Sequence, residues 1–144
     1  MSLSLYELTQ LFNSIPFHHF LGLQLIDARE GQVRMLLPYR DEVVGDPTRP
    51  ALHGGVLSTM VDACGGFAVW TQLAGAEDRV STIDLRVDYL APAGPEALLA
   101  EARVVRVGNR VGVVDVRVWQ PSAETRAVAT GKAVYNIKRK EDAP

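Results

Sequence analysis

The chain has a single cysteine, Cys64, in 144 residues. A lone thiol forms no intrachain disulfide, and nothing beside it has metal-ligand spacing. Set between Ala63 and Gly65 in an apolar run, it reads as a small buried hydrophobe, because a nucleophilic thiol needs a neighbouring base. An excess of one charge is also missing: 15 Lys and Arg stand against 17 Asp and Glu, a formal net charge of −2. That balance offers no polyanion-binding surface, so nucleic acid is not an expected partner. The one basic cluster, Lys138-Arg139-Lys140, precedes Glu141 and Asp142 and reads as a solvated tail. Repeats, low-complexity segments and interior linkers are absent, and the length suits one domain, residues 1–144. Met1-Ser2-Leu3-Ser4-Leu5 lacks the basic segment and unbroken apolar core of a signal peptide, so the expected location is cytoplasmic.

One long run is poor in charge. Between Gly54 and Ala76 the only charged residue is Asp62, and the run is long enough to cross a bilayer. Its five glycines and central carboxylate argue against spanning, since a mid-membrane charge costs roughly 2.5–3.5 kcal/mol on insertion scales. A helix buried within a soluble sheet protein accounts for the same composition, with no membrane partner.

The rest of the pattern agrees. Ser4 to Ser14 gives a short amphipathic helix, with Leu5, Leu8, Leu11 and Phe12 at helical spacing, Ser4 as cap and Pro16 soon after. Leu23–Ala28 and Gln32–Leu37 read as strands around Arg29-Glu30-Gly31. Gly45 to Ala51 is loop, and a long helix follows from about Gly55 to Leu73. From Ser81 to Tyr89 the period becomes two, with Ile83, Leu85, Val87 and Tyr89 on one face and Thr82 on the other. Ala97–Val107 and Arg110–Trp119 flank a Gly108-Asn109 turn, and Thr125–Ile137 supplies the last strand. One long helix against one antiparallel sheet is an α+β arrangement.

On the long helix, Gly55, Ser58, Thr59, Asp62, Gly65, Gly66 and Val69 share one face, and Val56, Leu57, Met60, Val61, Cys64, Phe67 and Ala68 the other. The bulky face should pack on the sheet. The small face permits close approach of another backbone or leaves room for a narrow ligand. Two interior glycines cost about 1 kcal/mol each against alanine, so Gly65 and Gly66 need a reason, and close approach supplies one. On periodicity alone Asp62 is either a packing group hydrogen-bonded to a strand or a functional carboxylate. His53 is likewise either a backbone-paired loop residue or part of a site. The helix N-terminus at Gly54-Gly55 exposes N–H groups suited to a polarised oxygen.

His53-Gly54-Gly55, Asp62 and Thr82-Ile83-Asp84-Leu85-Arg86-Val87-Asp88-Tyr89-Leu90-Ala91-Pro92-Ala93, preceded by Pro16-Phe17-His18-His19-Phe20-Leu21-Gly22, resemble the hotdog-fold acyl-CoA thioesterases of the PaaI type. The resemblance covers nearly the whole chain in the right order. It implies a central helix wrapped by an antiparallel sheet of about five to six strands, with a short N-terminal helix. It also implies homodimers that often pair into homotetramers, an active site at the dimer interface, an acyl- or aryl-CoA substrate and no cofactor or metal. Carried over residue by residue, the Gly54 N–H polarises the thioester carbonyl, and Asp62 of the other subunit acts as general base or nucleophile. Thr82 helps position water, and His53 orders the Gly54 loop. Gly55, Arg49 and Arg110 are candidate substrate contacts; the two arginines, Arg110 foremost, and the Lys138-Arg139-Lys140 run are candidates for the phosphates of coenzyme A. The chain departs from the family before His53. Where relatives often carry asparagine or glutamine it has Asp46 and Pro47, and neither donates a hydrogen bond in its ordinary state. Two other functions fit the same fold: a non-catalytic acyl-CoA-binding module, and a hydratase or dehydratase using His53 with Asp62.

Overall fold

The computed structural model describes residues 2–142; Met1, Ala143 and Pro144, the ends of the expected domain, lie outside them. Helix α1 (Leu5–Asn13) starts at a reciprocal cap. Ser4 Oγ accepts the Glu7 N–H at 3.2 Å, and the Glu7 carboxylate accepts the Ser4 N–H at 2.8 Å. Leu8 and Phe12 are its buried residues. Its place in the sequence puts Pro16 just beyond the end of this helix. Pro16 also opens a second one, α2 (Pro16–Leu21), at a position where its missing N–H costs nothing. Gly22, in the left-handed region at φ 70°, ends α2.

Strands β1 (Gln24–Arg29) and β2 (Gln32–Leu37) follow, then a small ribbon of β3 (Val44–Asp46) and β4 (Ala51–Leu52), then helix α3 (Gly54–Trp70). Strands β5 (Arg79–Tyr89), β6 (Leu98–Val107), β7 (Val111–Trp119) and β8 (Ala127–Lys138) complete the chain. Six strands form one antiparallel sheet in the order β1-β2-β6-β7-β8-β5, leaving β1 and β5 as edges. The sheet curls around α3, which touches β2, β5, β6, β7 and β8. The α+β hotdog arrangement and short N-terminal helix are as expected.

The curl changes which helix residues are core. Leu57, Met60, Val61, Cys64, Phe67 and Ala68 are buried as expected, but so are Gly65 and Val69 from the small face. A sheet that wraps a helix covers more than one stripe of it. α3 ends at Trp70 rather than Leu73. Thr71 turns the chain there, its hydroxyl donating to the Ala68 carbonyl at 2.6 Å and accepting the Gly31 N–H at 2.8 Å. Among the described residues no helix is long and apolar enough to cross a membrane.

Close helix–sheet approach depends on Gly131 of β8. A Cβ there would run into Val61 Cγ1 and lie 3.1 Å from the Arg86 carbonyl oxygen, which backbone pairing holds in place. Gly131→Ala is therefore expected to destabilise the fold by about 1–3 kcal/mol through overpacking, read as a lower urea midpoint at unchanged slope. An unchanged midpoint would contradict this packing.

Two further expectations are corrected. The pairing of β5 with β8 shifts register between Thr82 and Asp84, a β-bulge at Ile83. Thr82 therefore faces Tyr135, and Leu85 and Val87 face Ala133 and Gly131, all toward α3. Thr82 shares the inward face with Leu85 and Val87 instead of opposing them, while Ile83 is 58% exposed. The basic C-terminal cluster is not a free tail. Arg139 donates to the Gly108 and Asn109 carbonyls at 3.2 Å, the Lys140 N–H donates to Asp78, and the Lys140 ammonium pairs with Glu77.

Candidate active site

Helix α3 carries two chemically distinct places. The first is its N-terminus. His53 is the N-cap, and its Nδ1 accepts the Gly55 N–H at 2.8 Å. An accepting Nδ1 is unprotonated, so the neutral ring carries its proton on Nε2. The His53 carbonyl takes the Val56 N–H, and the His53 N–H donates to the Val43 carbonyl at 2.9 Å. Gly45 makes this docking possible, since a Cβ on it would lie 2.7 Å from His53 Cα. The Gly54 N–H donates to nothing among the described residues. It opens at the positive end of a 17-residue helix, beside a 340 Å³ cavity bordered by Leu52, Leu57 and Tyr89 to Ala93. Glycine suits the spot, because a Cβ there would press to 3.2 Å from the Tyr89 ring.

The second place surrounds Asp62. Its carboxylate is half-buried in a 220 Å³ cavity lined by Ile15, His18, Phe67, Trp70 and Val80, with Thr82 and Tyr135 at the sheet side. The Thr82 hydroxyl donates to Asp62 Oδ1 at 2.6 Å. That bond exists because the bulge at Ile83 turns Thr82 inward. Tyr135, directly opposite Thr82 on β8, donates its hydroxyl to the Asp62 backbone carbonyl at 2.7 Å.

Two neighbours of Asp62, Tyr135 and His18, lie outside the site residues that the sequence motifs single out. Tyr135 had a signal: it alternates inward with Ala133 and Ile137, facing the glycine pair that called for a close neighbour. Burial first, and the Asp62 charge second, push its hydroxyl pKa far up, so it stays protonated and donates. His18 sits on the unforeseen α2, its ring against Phe12 and Phe67 and its Nδ1–H bonded to the Phe12 carbonyl at 3.1 Å. Burial chiefly holds its pKa below the ordinary histidine value.

The other candidates separate. Arg49 pairs with Asp46 at 3.2 Å in the loop before His53. Asp46 also accepts from the Thr48 hydroxyl and N–H; these bonds, the hydroxyl first, pull its pKa down to about 2. It is thus an anion that donates no hydrogen bond. The Gly55 N–H is already taken by His53. Arg110, in the β6–β7 turn, is at the end of the sheet near Val69 and far along α3 from Gly54. Cys64 is fully enclosed, its thiol turned to the Val33 and Ala100 carbonyls and its pKa pushed far up by burial, so it takes no nucleophilic part.

Solved structures that this chain matches have the same architecture. Residues 50–127 match the family described as the thioesterase superfamily. The chain is 39% identical over 126 residues to the Halobacterium salinarum protein VNG_1336C, covering 83% of each. It is 30% identical over 135 residues to the medium/long-chain acyl-CoA thioesterase YigI of Escherichia coli strain K12, covering 85% of this chain and 86% of that one. The solved PaaI protein of Escherichia coli superposes with TM-score 0.79 at 19% identity, covering 91% of this chain and 90% of that one. The chain belongs to the thioesterase superfamily, as a thioester hydrolase with the hotdog fold.

Proposed function

We propose that this protein hydrolyses an acyl- or aryl-CoA thioester, at sites that combine Gly54 of one subunit with Asp62 of another. The observation that carries the reading is a carboxylate held by a hydroxyl at 2.6 Å in a cavity of mixed polar and apolar lining, on a helix whose first N–H lacks a partner among the described residues. The two groups are complementary. Hydrolysis builds charge on the carbonyl oxygen, which the Gly54 N–H and the helix dipole stabilise. Water attacks the carbonyl carbon and Asp62 takes its proton; the carbon–sulfur bond then breaks, that proton passes to the departing sulfur, and coenzyme A leaves as the thiol. With Thr82 on Oδ1, Oδ2 stays free for water, or for direct attack if Asp62 is the nucleophile.

Distance argues for two subunits. At about 1.5 Å of rise per residue, α3 carries Asp62 about 12 Å from Gly54. A bent array of donor, carbonyl, water and carboxylate, with contacts of about 3 Å each, is shorter than that. The second copy has a place to bind. β5 is an 11-residue edge strand, with Ile83 58% and Tyr89 56% exposed. Such an edge pairs readily with another strand. Antiparallel pairing of two β5 strands, which run beside α3, brings the Tyr89–Gly54 end of one subunit toward the Thr82–Asp62 end of the other. Of the basic candidates, Arg110 remains the proposed phosphate contact, while Arg49 must first leave Asp46. Location in the cytoplasm fits coenzyme A esters.

His53 argues against the hydratase reading, because its Nδ1 is engaged and its Nε2 carries a proton, leaving no base. The test is a panel of acyl- and aryl-CoA esters assayed for free thiol, with Asp62→Ala alongside. Thiol release by the wild type and its loss in the variant are expected. Binding without turnover would favour the binding module, and water addition to an enoyl-CoA the hydratase.

A further inference from the structure

We infer that Tyr135 is a positioning residue for Asp62, forming with Thr82 a two-point clamp that holds this residue by its carboxylate and by its main chain. The inference rests on the thioesterase reading above. Thr82 and Tyr135 are direct cross-strand partners on β5 and β8. One holds the Asp62 side chain at 2.6 Å and the other its main-chain carbonyl at 2.7 Å. The two contacts therefore come from one rigid cross-strand pair and act on one residue of α3.

Several otherwise costly features converge on this clamp. The Tyr135 hydroxyl reaches the helix backbone through the gap at Gly65, where a Cβ would run into that hydroxyl and come within 2.8 Å of Val114 Cγ2. A Cβ on Gly66 would touch the same ring at 3.4 Å. The glycine pair, unfavourable in a helix, is thus explained by the approach of Tyr135. The bulge at Ile83 is explained by Thr82: without the extra residue the hydroxyl would face away from α3. Buried Tyr135 keeps its proton and has a single acceptor, so it donates in one direction only. A ring packed in the core and bonded to the backbone resists rotation, so it ties the α3 main chain at Asp62 to β8 and to the Thr82 side of the site.

Tyr135→Phe keeps the ring and removes the hydroxyl. Using the ester that the wild type hydrolyses fastest, kcat is expected to fall about 10–100-fold with KM changed less than about threefold, as for a misplacement near 1 Å. In an Asp62→Ala background the same change should alter the residual rate less than about twofold, because Tyr135 acts through Asp62. A merely structural role would give equal factors in both backgrounds. Gly65→Ala, which displaces the hydroxyl from the other side, should reproduce the kcat effect. Full kcat in Tyr135→Phe, equal factors in both backgrounds, or failure of both variants to fold would each overturn the positioning role. A wild type inert toward every ester would overturn the thioesterase reading with it, whereas an active wild type isolates the clamp.

Discussion

Asp62→Ala is expected to lower kcat by about 10²–10⁴-fold, the usual contribution of a positioned acid–base group, or about 3–5 kcal/mol of transition-state stabilisation. KM should change little, because the carboxylate contributes to attack rather than to holding coenzyme A. The fold should survive. Asp62 is half-buried, and its Thr82 partner is exposed and can bond water instead, so the stability change should stay within about 1 kcal/mol. Asp62→Asn sharpens the result: it preserves shape and the bond from Thr82 but removes the proton acceptor, and should be nearly as damaging. Measured kcat with unchanged thermal unfolding checks both parts. An Asp62→Asn enzyme close to wild type in kcat would remove Asp62 from the chemistry.

Gly54→Pro is expected to cost about 10²–10³-fold in kcat, as for removal of one oxyanion donor. Proline deletes the N–H that has no partner among the described residues and leaves the other caps in place. Helix geometry tolerates it, since Gly54 is the first residue of α3. The preceding residue tolerates it too: His53 sits at φ −64°, ψ 134°, the extended conformation that proline requires of its neighbour. Gly54→Ala is the control. It keeps the donor, and its Cβ meets the Tyr89 ring edge at 3.2 Å, a contact a small ring shift relieves. A loss confined to Gly54→Pro identifies the N–H as the active element. Equal losses in both variants would point to crowding of the cavity instead.

Much of this arrangement was legible in the chain because it rests on local patterns. The 3.6-residue period of α1 and α3, the alternation in the strands, and the His53-Gly54-Gly55 sequence ahead of Asp62 are each contained within one segment. What stayed hidden depends on pairing between segments. Ile83, Leu85, Val87 and Tyr89 alternate without a break, so nothing in their spacing reveals that β5 bulges opposite Tyr135-Val134. Gly65 and Val69 looked like the open face of α3, but a curled sheet reaches around to cover them. Pro16 signals a helix boundary of either kind, and tertiary contacts made by His18 and Leu21 chose a start over a stop. The arginines illustrate the same limit: Arg49 is neutralised locally by Asp46, while Arg139 is anchored on the remote turn at Gly108 and Asn109.

The proposed sharing of the site between subunits makes a prediction that no single variant can test. In the proposed two-fold dimer each site would take Gly54 from one chain and Asp62 from the other. Co-expression of Gly54→Pro and Asp62→Ala chains at equal levels places one mutant of each kind in half of the dimers. In such a dimer one site carries both changes and the other carries neither. Thioester hydrolysis should therefore recover to about one quarter of the wild-type rate per chain, although each variant alone is nearly inactive. No recovery in confirmed mixed dimers would contradict the account, because it would place Gly54 and Asp62 in separate sites or in one subunit.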